Sequence, residues 1–273
     1  MAVSKEVRAK RAHLEKILAG YGSVLVAYSG GVDSTFLAYV AGQVLKNKAL
    51  AVTASSESLA QEDLAEAGAV AARFEFQHEI LRTAELENEK YAANPRNRCY
   101  FCKAELMQKL SALAKARGLA QIAFGANMDD LADDRPGEVA ACEAGAVFPL
   151  REAQFSKSEI RELSRELGLP TWDKPGAACL ASRIPFGERI TAEKLNQVAR
   201  GEFYLHQAGF RECRLRHHGS VARLEVPAGQ MPALLQKRAE IIGALKKLGF
   251  CYITLDLQGF RSGSMHEALK RGK

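Results

Sequence analysis

Apolar and polar residues along the chain change their period several times, and each change marks an element. Leu25, Val26 and Ala27 read as the end of a buried strand. The segment from Asp33 to Val40 places Phe36, Leu37 and Val40 on one helical face, turned toward a sheet. "ALAVTAS" (49–55) predicts a second strand and "SLAQEDLAEAGAVAA" a helix. "RFEFQHEI", with Phe74, Phe76 and His78 alternating, predicts a short third strand. "CYFCKAELMQKLSALAKARG" carries helical spacing and stops on Gly118; "QIAFGAN" (121–127) then reads as another buried strand. "FSKSEIRELSRELGLP" (155–170) is an amphipathic helix closed by Gly168 and Pro170. This alternation is the rhythm of an α/β fold, a doubly wound parallel sheet.

After residue 170 the rhythm breaks. "TWDKPGAACLASRIPFGERIT" has two proline turns, two glycines and a cysteine, and reads as a functional loop. Then come a helix from Ala192 to about Ala208, a hairpin "ECRLRHHGSVARLEV" turning at Gly219-Ser220, a helix near 230–248 and the strand "CYITLDL". The order predicts a first domain over 1–190 and a small C-terminal α+β domain over 191–273.

The turn between the first strand and its helix is "YSGGVDST". Gly30 and Gly31 let the backbone approach a ligand, and the amides of Ser29 to Ser34 point at whatever sits at the helix N-terminus, a place suited to an anion. No Lys follows Gly31, so this is not a Walker loop, and GxGxxG is absent. SGGxDS after a strand instead resembles the PP-loop of the ATP pyrophosphatases, whose fold is adenine nucleotide alpha hydrolase-like. That resemblance implies cleavage of ATP to AMP and pyrophosphate. Ligands of such sheets bind beyond the carboxyl ends of the strands. The candidate ATP-binding residues are therefore Ala27, Ser29, Gly30, Gly31, Asp33 and Ser34 at the first end, Ala54 and Ser55 at the second, and Gly125 and Asn127 at the third.

Composition narrows the setting. The 273 residues are 47% hydrophobic and 26% charged, ordinary for a globular enzyme, and no apolar run approaches membrane-spanning length. The amphipathic start, with charge mixed through it, leads to the expectation of a cytoplasmic protein. Thirty-eight basic against 32 acidic side chains give +6, which favours anionic partners without naming one. No basic arm or aromatic-rich platform points to nucleic acid. Six cysteines are too few for a disulfide scaffold in a chain of this size.

Chemistry concentrates in three places. Cys99 and Cys102, spaced CxxC beside Arg98 and Lys103, fit a metal, a cluster or a redox pair. Cys179, in the irregular loop, is the best third ligand; three thiolates suit an iron-sulfur cluster with one open iron, whereas structural zinc wants four ligands. Cys142, Cys213 and Cys251 read as buried fillers. "GANMDDLADDRPG" sets Asp129, Asp130, Asp133 and Asp134 near the nucleotide crevice, where Asp130, with Asp33, can hold Mg²⁺; a solvated acidic turn is the alternative. Arg214 and Arg216 share one strand face and suit a substrate phosphate, as does Arg183 near Cys179; a basic surface strand is the alternative. His217 and His218 fall at a turn and are expected in solvent.

With "NPRNRCYFCK", "GANMDDLADDRPG" and "GAACLASRIPFGERIT" following the PP-loop in order, the chain closely resembles the LarE-type ATP-dependent sulfur transferases over essentially its whole length. The resemblance implies conversion of a pyridinium biscarboxylic acid mononucleotide to its thiocarboxylate form, in biosynthesis of the nickel-pincer nucleotide of lactate racemase. ATP adenylates a carboxylate, pyrophosphate leaves, and sulfur displaces AMP. The position matching Cys179 donates sulfur and ends as dehydroalanine in single-cysteine members. With Cys99 and Cys102 present, the chain looks like the three-cysteine type, whose [4Fe-4S] cluster carries an extra sulfide on its open iron. Arg183, Arg214 and Arg216 match the family's substrate-phosphate region. Homo-oligomers, commonly hexamers, and partners among the nickel-pincer pathway enzymes are also implied. The rivals are a tRNA 2-thiolation enzyme of the PP-loop class, an amide-forming PP-loop synthetase, a non-enzymatic nucleotide-binding module, and a sacrificial cysteine donor without a cluster.

Overall fold

A computed structural model describes residues 3–132, 135–176 and 178–261. The chain divides into two compact units, Met1–Glu85 with Asn97–Ala177, and Leu86–Arg96 with Ala178–Lys273. The division thus falls at 177/178, ahead of the boundary expected at 190/191, and residues 86–96 go with the second unit. Hydrogen bonds explain this. The buried Asn94 side chain donates to the carbonyls of Ile184, Pro185 and Glu188, while Gly187 and Ile190 amides donate to the carbonyls of Asn94 and Ala92.

In the first unit α1 (Lys5–Tyr21) starts at Ser4, whose hydroxyl accepts the Val7 amide. Then follow β1 (Val24–Ala27), α2 (Val32–Leu45), β2 (Ala49–Ser55), α3 (Gln61–Arg73) and β3 (His78–Arg82). The expected third strand began at Arg73; the observed one starts later because α3 runs through Arg73, Phe74 caps it and Glu75 takes a φ of 55°. The chain passes through α4 (Glu89–Ala92) of the other unit, then returns with α5 (Arg98–Arg117), β4 (Gln121–Ala123), α6 (Pro136–Glu143), α7 (Pro149–Glu152) and α8 (Lys157–Glu166). Ser156 and Glu159 form a capping box that fixes where α8 begins.

The four strands are parallel, in the order β3-β2-β1-β4. The chain steps outward from β1 to β3 and then returns to the other side of β1, so the order reverses between β1 and β4. Ligands of open α/β sheets bind at such a reversal. Alternation along β1 sends Val24 and Val26 into one core, with Leu14, Phe36 and Ile160, and Leu25 into the other, with Met107 and Leu110. Burial on both faces makes β1 a continuous apolar run, and its carboxyl end holds the PP-loop.

The second unit contains α9 (Ala192–Gln207), β5 (Arg214–His218), β6 (Val221–Glu225), α10 (Met231–Gln236), α11 (Arg238–Lys247) and β7 (Tyr252–Leu255). β5 and β6 form the expected hairpin, with Arg216 opposite Arg223, and β7 adds parallel to β6. The single helix expected over 230–248 is two, parted at Lys237. No helix among the described residues is long and apolar enough to cross a membrane.

Candidate active site

Backbone geometry makes the PP-loop. Gly30 takes a φ of 69°, closed to most side chains, and a Cβ there would lie 3.2 Å from that of Ala67 on α3. The hydroxyls of Ser29 and Ser34 are 3.0 Å apart, the Ser29 amide donates to Ser34 Oγ, and Ser34 Oγ donates to the Gly31 carbonyl. Gly31 precedes α2 without a side-chain cap, the setting in which a helix start suits an anion. Gly125, just past β4, comes so close that a Cβ would sit 2.9 Å from the Ser34 nitrogen. The ends of β1 and β4 therefore meet at one place. Within the sheet, Thr53 Oγ1 of β2 and His78 Nε2 of β3 are 2.8 Å apart.

Around α2's first turn lies a closed hydrogen-bond circuit centred on the buried Asn127. Its side-chain amide donates to Asp33 Oδ1 over 3.4 Å, and its backbone amide donates to Asp130 Oδ2 over 2.9 Å. Asn127 Oδ1 accepts the Asp129 amide, and Asp129 Oδ2 accepts the Lys157 amide, both at 2.9 Å. The Lys157 ammonium donates to Asp33 Oδ2 and closes the ring. Burial pushes the Asp33 carboxyl above its ordinary range, opposed by the bond from Lys157 and reinforced by the Asp130 charge. Asp130 also pairs with Arg135 at 2.6 Å. Asp133 and Asp134 lie outside the described residues. Lys157 was absent from the sequence-derived candidates: a lysine opening an amphipathic helix, 124 residues from its partner Asp33, carries no local signal.

Cys99 and Cys102 occupy the first turn of α5, Cys99 exposed and Cys102 half-buried. Lys103 lies with its ammonium 4.6 Å from the centre of the Phe124 ring. These residues belong to the first unit; Cys179 belongs to the second. Among the described residues no group of three or more His, Cys, Asp or Glu is arranged to hold a metal ion.

Cys179 is exposed and opens a short turn, Leu180–Arg183. Arg183 braces that turn: Nη1 donates to the carbonyls of Ala178 and Cys179 and to Ser182 Oγ, while Nε and Nη2 grip both Glu202 oxygens at 2.9 and 2.8 Å. Arg216 makes the same fork with Glu225, both bonds 3.0 Å, and its Nη1 donates to the Ser182 carbonyl. Burial works against the Arg183 charge, but Glu202 outweighs it, so the guanidinium holds its proton more tightly than usual. Arg214 differs. It donates to the Cys213 carbonyl, lies 5.0 Å from the Phe260 ring and has no carboxylate partner among the described residues. Burial, then the charge of Arg183, lowers its pKa. Of the three candidate arginines, two are held by carboxylates and Arg214 has no such partner among the described residues.

Three expectations are corrected here. His217 is buried, its Nε2 3.0 Å from Gln197 Oε1, because β5 turns it under α9. Cys142 and Cys251 are exposed, lying outside the sheets at a helix end and ahead of β7. Cys213 alone of the three is a buried filler, its thiol pushed up to about 12 by burial and the Glu202 charge.

A parallel sheet whose order reverses at a glycine turn, feeding the uncapped start of an apolar helix, defines an ATP-using enzyme of the PP-loop class. Residues 6–133 match the NAD synthase family model. The chain is 35% identical over 265 residues to the pyridinium-3,5-bisthiocarboxylic acid mononucleotide synthase of Lactiplantibacillus plantarum, covering 97% of this chain and 96% of that one. It belongs to that enzyme's family. It is also 45% identical to the uncharacterized protein slr1717 of Synechocystis sp., over 97% of this chain and all of that protein. The uncharacterized protein MJ0830 of Methanocaldococcus jannaschii is 25% identical over 88% of this chain and 91% of its own.

Proposed function

We propose that this protein is the ATP-dependent sulfurtransferase that adenylates a carboxylate of pyridinium biscarboxylic acid mononucleotide and converts it to a thiocarboxylate, in nickel-pincer cofactor biosynthesis. The near full-length likeness to the L. plantarum synthase, together with a built PP-loop, carries this reading. A carboxylate is a poor electrophile. Attack of its oxygen on the α-phosphorus of ATP expels pyrophosphate, and the acyl-adenylate then offers AMP as a leaving group to sulfur. The α2 amides, with Ser29 and Ser34, hold the phosphates. Asp33 and Asp130 are the carboxylates that would hold Mg²⁺, whose charge offsets that of the leaving oxygens. In the second unit Arg214 takes the substrate phosphate, while the pairs Arg183–Glu202 and Arg216–Glu225 fix the wall beside Cys179.

Cys99, Cys102 and Cys179 fit a [4Fe-4S] cluster by their donor chemistry: three soft sulfurs, two of them one helical turn apart, two exposed and one half-buried. When bound, the cluster would supply an iron open to an exogenous sulfide. Assembly into homo-oligomers and work beside other enzymes of the pathway complete the proposal. The test is protein purified without oxygen, with iron and acid-labile sulfide counted per chain for wild type and Cys99→Ala, and pyrophosphate release assayed with the pyridinium substrate and with tRNA. Near-equal iron and sulfide, lost in the variant, and release that needs the pyridinium substrate are expected. Colourless protein after reconstitution overturns the cluster, and release driven only by tRNA overturns the substrate.

A further inference from the structure

The segment that leads to Cys179 is held by two cations. Between Trp172 and Cys179 every described residue is exposed except Lys174, whose side chain keeps 16% of its exposure. A run that buries so little has few contacts of its own to fix it. Lys174 is turned onto α3, where its ammonium donates to Asp63 Oδ1 over 3.1 Å and to Glu66 Oε2 over 2.7 Å. Burial works against that charge, but the two carboxylates outweigh it, so the ammonium holds its proton more tightly than usual. Arg161 of α8 fixes the backbone beside it, donating to the carbonyls of Trp172 and Lys174 over 2.8 and 2.9 Å. Cys179 follows five residues after Lys174, so this anchor keeps the two Cα atoms within about 18 Å whatever the turns between them. The same turns of α3 lie against the PP-loop. A Cβ at Gly30 would sit 3.2 Å from that of Ala67 and 3.8 Å from the Asp63 carbonyl oxygen, and the Tyr28 hydroxyl, one residue before Ser29, donates to the Ala67 carbonyl over 3.3 Å.

We propose that Lys174 is a positioning residue for sulfur transfer: by pinning the approach to Cys179 onto α3, the helix that backs the PP-loop, it ties the sulfur-delivering cysteine to the frame of the nucleotide site. This rests on the reading of the chain as an ATP-dependent sulfurtransferase. In the step served, sulfide as co-reactant forms a bond to the carboxyl carbon of the acyl-adenylate. The bond from that carbon to the bridging oxygen breaks, and AMP leaves with the electron pair. Lys174 forms no bond in this step and gives up no proton. Adenylation comes earlier and takes place at the PP-loop, so loss of the anchor spares it. Placement of the sulfur is what suffers, and a shift of about 1 Å at a reacting centre costs on the order of 100-fold in rate.

The test uses the full-length protein with Lys174→Ala and Lys174→Arg. Trp172, the one tryptophan of the chain, lies two residues from Lys174 with the Arg165 guanidinium 5.6 Å from its ring, and its fluorescence reports on the segment without any ligand. Lys174→Ala is expected to raise acrylamide quenching of Trp172 about twofold, and Lys174→Arg to leave it near wild type. Thiocarboxylate formation from the pyridinium substrate, ATP, Mg²⁺ and sulfide is expected to fall at least about tenfold in Lys174→Ala and to recover mostly in Lys174→Arg. Isotope exchange between pyrophosphate and ATP, which reads adenylation alone, is expected to stay within about twofold of wild type. Quenching equal to wild type in Lys174→Ala overturns the anchor. Exchange and thiocarboxylate formation that fall together, or neither of which falls, overturn the positioning role. So does a loss of product that tracks a loss of melting temperature, since the lysine is then structural. Wild type that exchanges no pyrophosphate with the pyridinium substrate counts against the proposed substrate, while the quenching comparison of the variants still decides whether Lys174 holds the segment.

Discussion

The two charged regions of the molecule are built on opposite plans. At the switch point of the first unit, the first turn of α2 carries no side-chain cap and the ion pair Asp33–Lys157 keeps 20% and 33% of its side-chain exposure. In the second unit, Arg183–Glu202 and Arg216–Glu225 are buried bidentate pairs with no more than 8% of any side chain exposed. Desolvation makes such pairs weak sources of net stability and costly to break. Arg183 and Arg216 also donate to the carbonyls of Ala178, Cys179 and Ser182 and so hold the Cys179 turn, while Arg214 has no carboxylate partner among the described residues. An adaptable site suits a nucleotide that must bind, react and leave in pieces; a rigid one suits placing a sulfur atom against one carbon.

The strongest way to break the comparison is at the rigid wall. Cys179→Ser should abolish thiocarboxylate formation while changing stability by less than about 0.5 kcal/mol, as for an exposed side chain; mass analysis of the product and a melting curve read both. Glu202→Ala strands the Arg183 charge and removes the acceptor of the Leu215 amide, and should cost about 3–5 kcal/mol in denaturant unfolding. Asp33→Ala frees only a half-open ammonium, and should cost less than half as much. Equal losses would erase the distinction between the two plans.

The next test sharpens the adaptable side. Gly125→Ala puts a methyl group against the Ser34 nitrogen and must push β4's end away from α2, costing about 1–3 kcal/mol and weakening ATP binding more than substrate binding. Titration calorimetry with each ligand separates the two.

The smallest effect is a pH dependence. Burial lowers the pKa of His217 below its ordinary 6.5. The unfolded chain therefore binds the proton more readily than the folded one. The resulting stability is complete above 6.5 and declines as pH falls through it toward the folded value. His78 and His218 shift the same way and for the same reason. The melting temperature should fall between pH 7 and 5, and His217→Gln should flatten the curve.

What the sequence revealed follows from range. The PP-loop was legible because its chemistry is local: two glycines, a strand end and a helix start within ten residues. Gly125 and Asn127 could be placed at a strand end because the strand that precedes them is legible. Lys157 was hidden because only the return of the chain across the sheet brings it to Asp33. The arginines were visible, but their carboxylates were not: Glu202 lies on a helix 19 residues from Arg183, and Glu225 joins Arg216 across a hairpin. His217 was misjudged because closeness to a turn outweighed the alternation that buries it. Residues 86–96 were assigned to the wrong side of a boundary that Asn94 sets through three carbonyls ninety residues onward.

The most direct measurement is a product count: pyridinium biscarboxylic acid mononucleotide, ATP, Mg²⁺ and a sulfide source incubated anaerobically with the enzyme, followed by mass analysis. The account predicts thiocarboxylate, AMP and pyrophosphate rising together in equal amounts and only when all components are present. AMP and pyrophosphate that form at the same rate without the pyridinium compound, or that form with it while no thiocarboxylate appears, would contradict it.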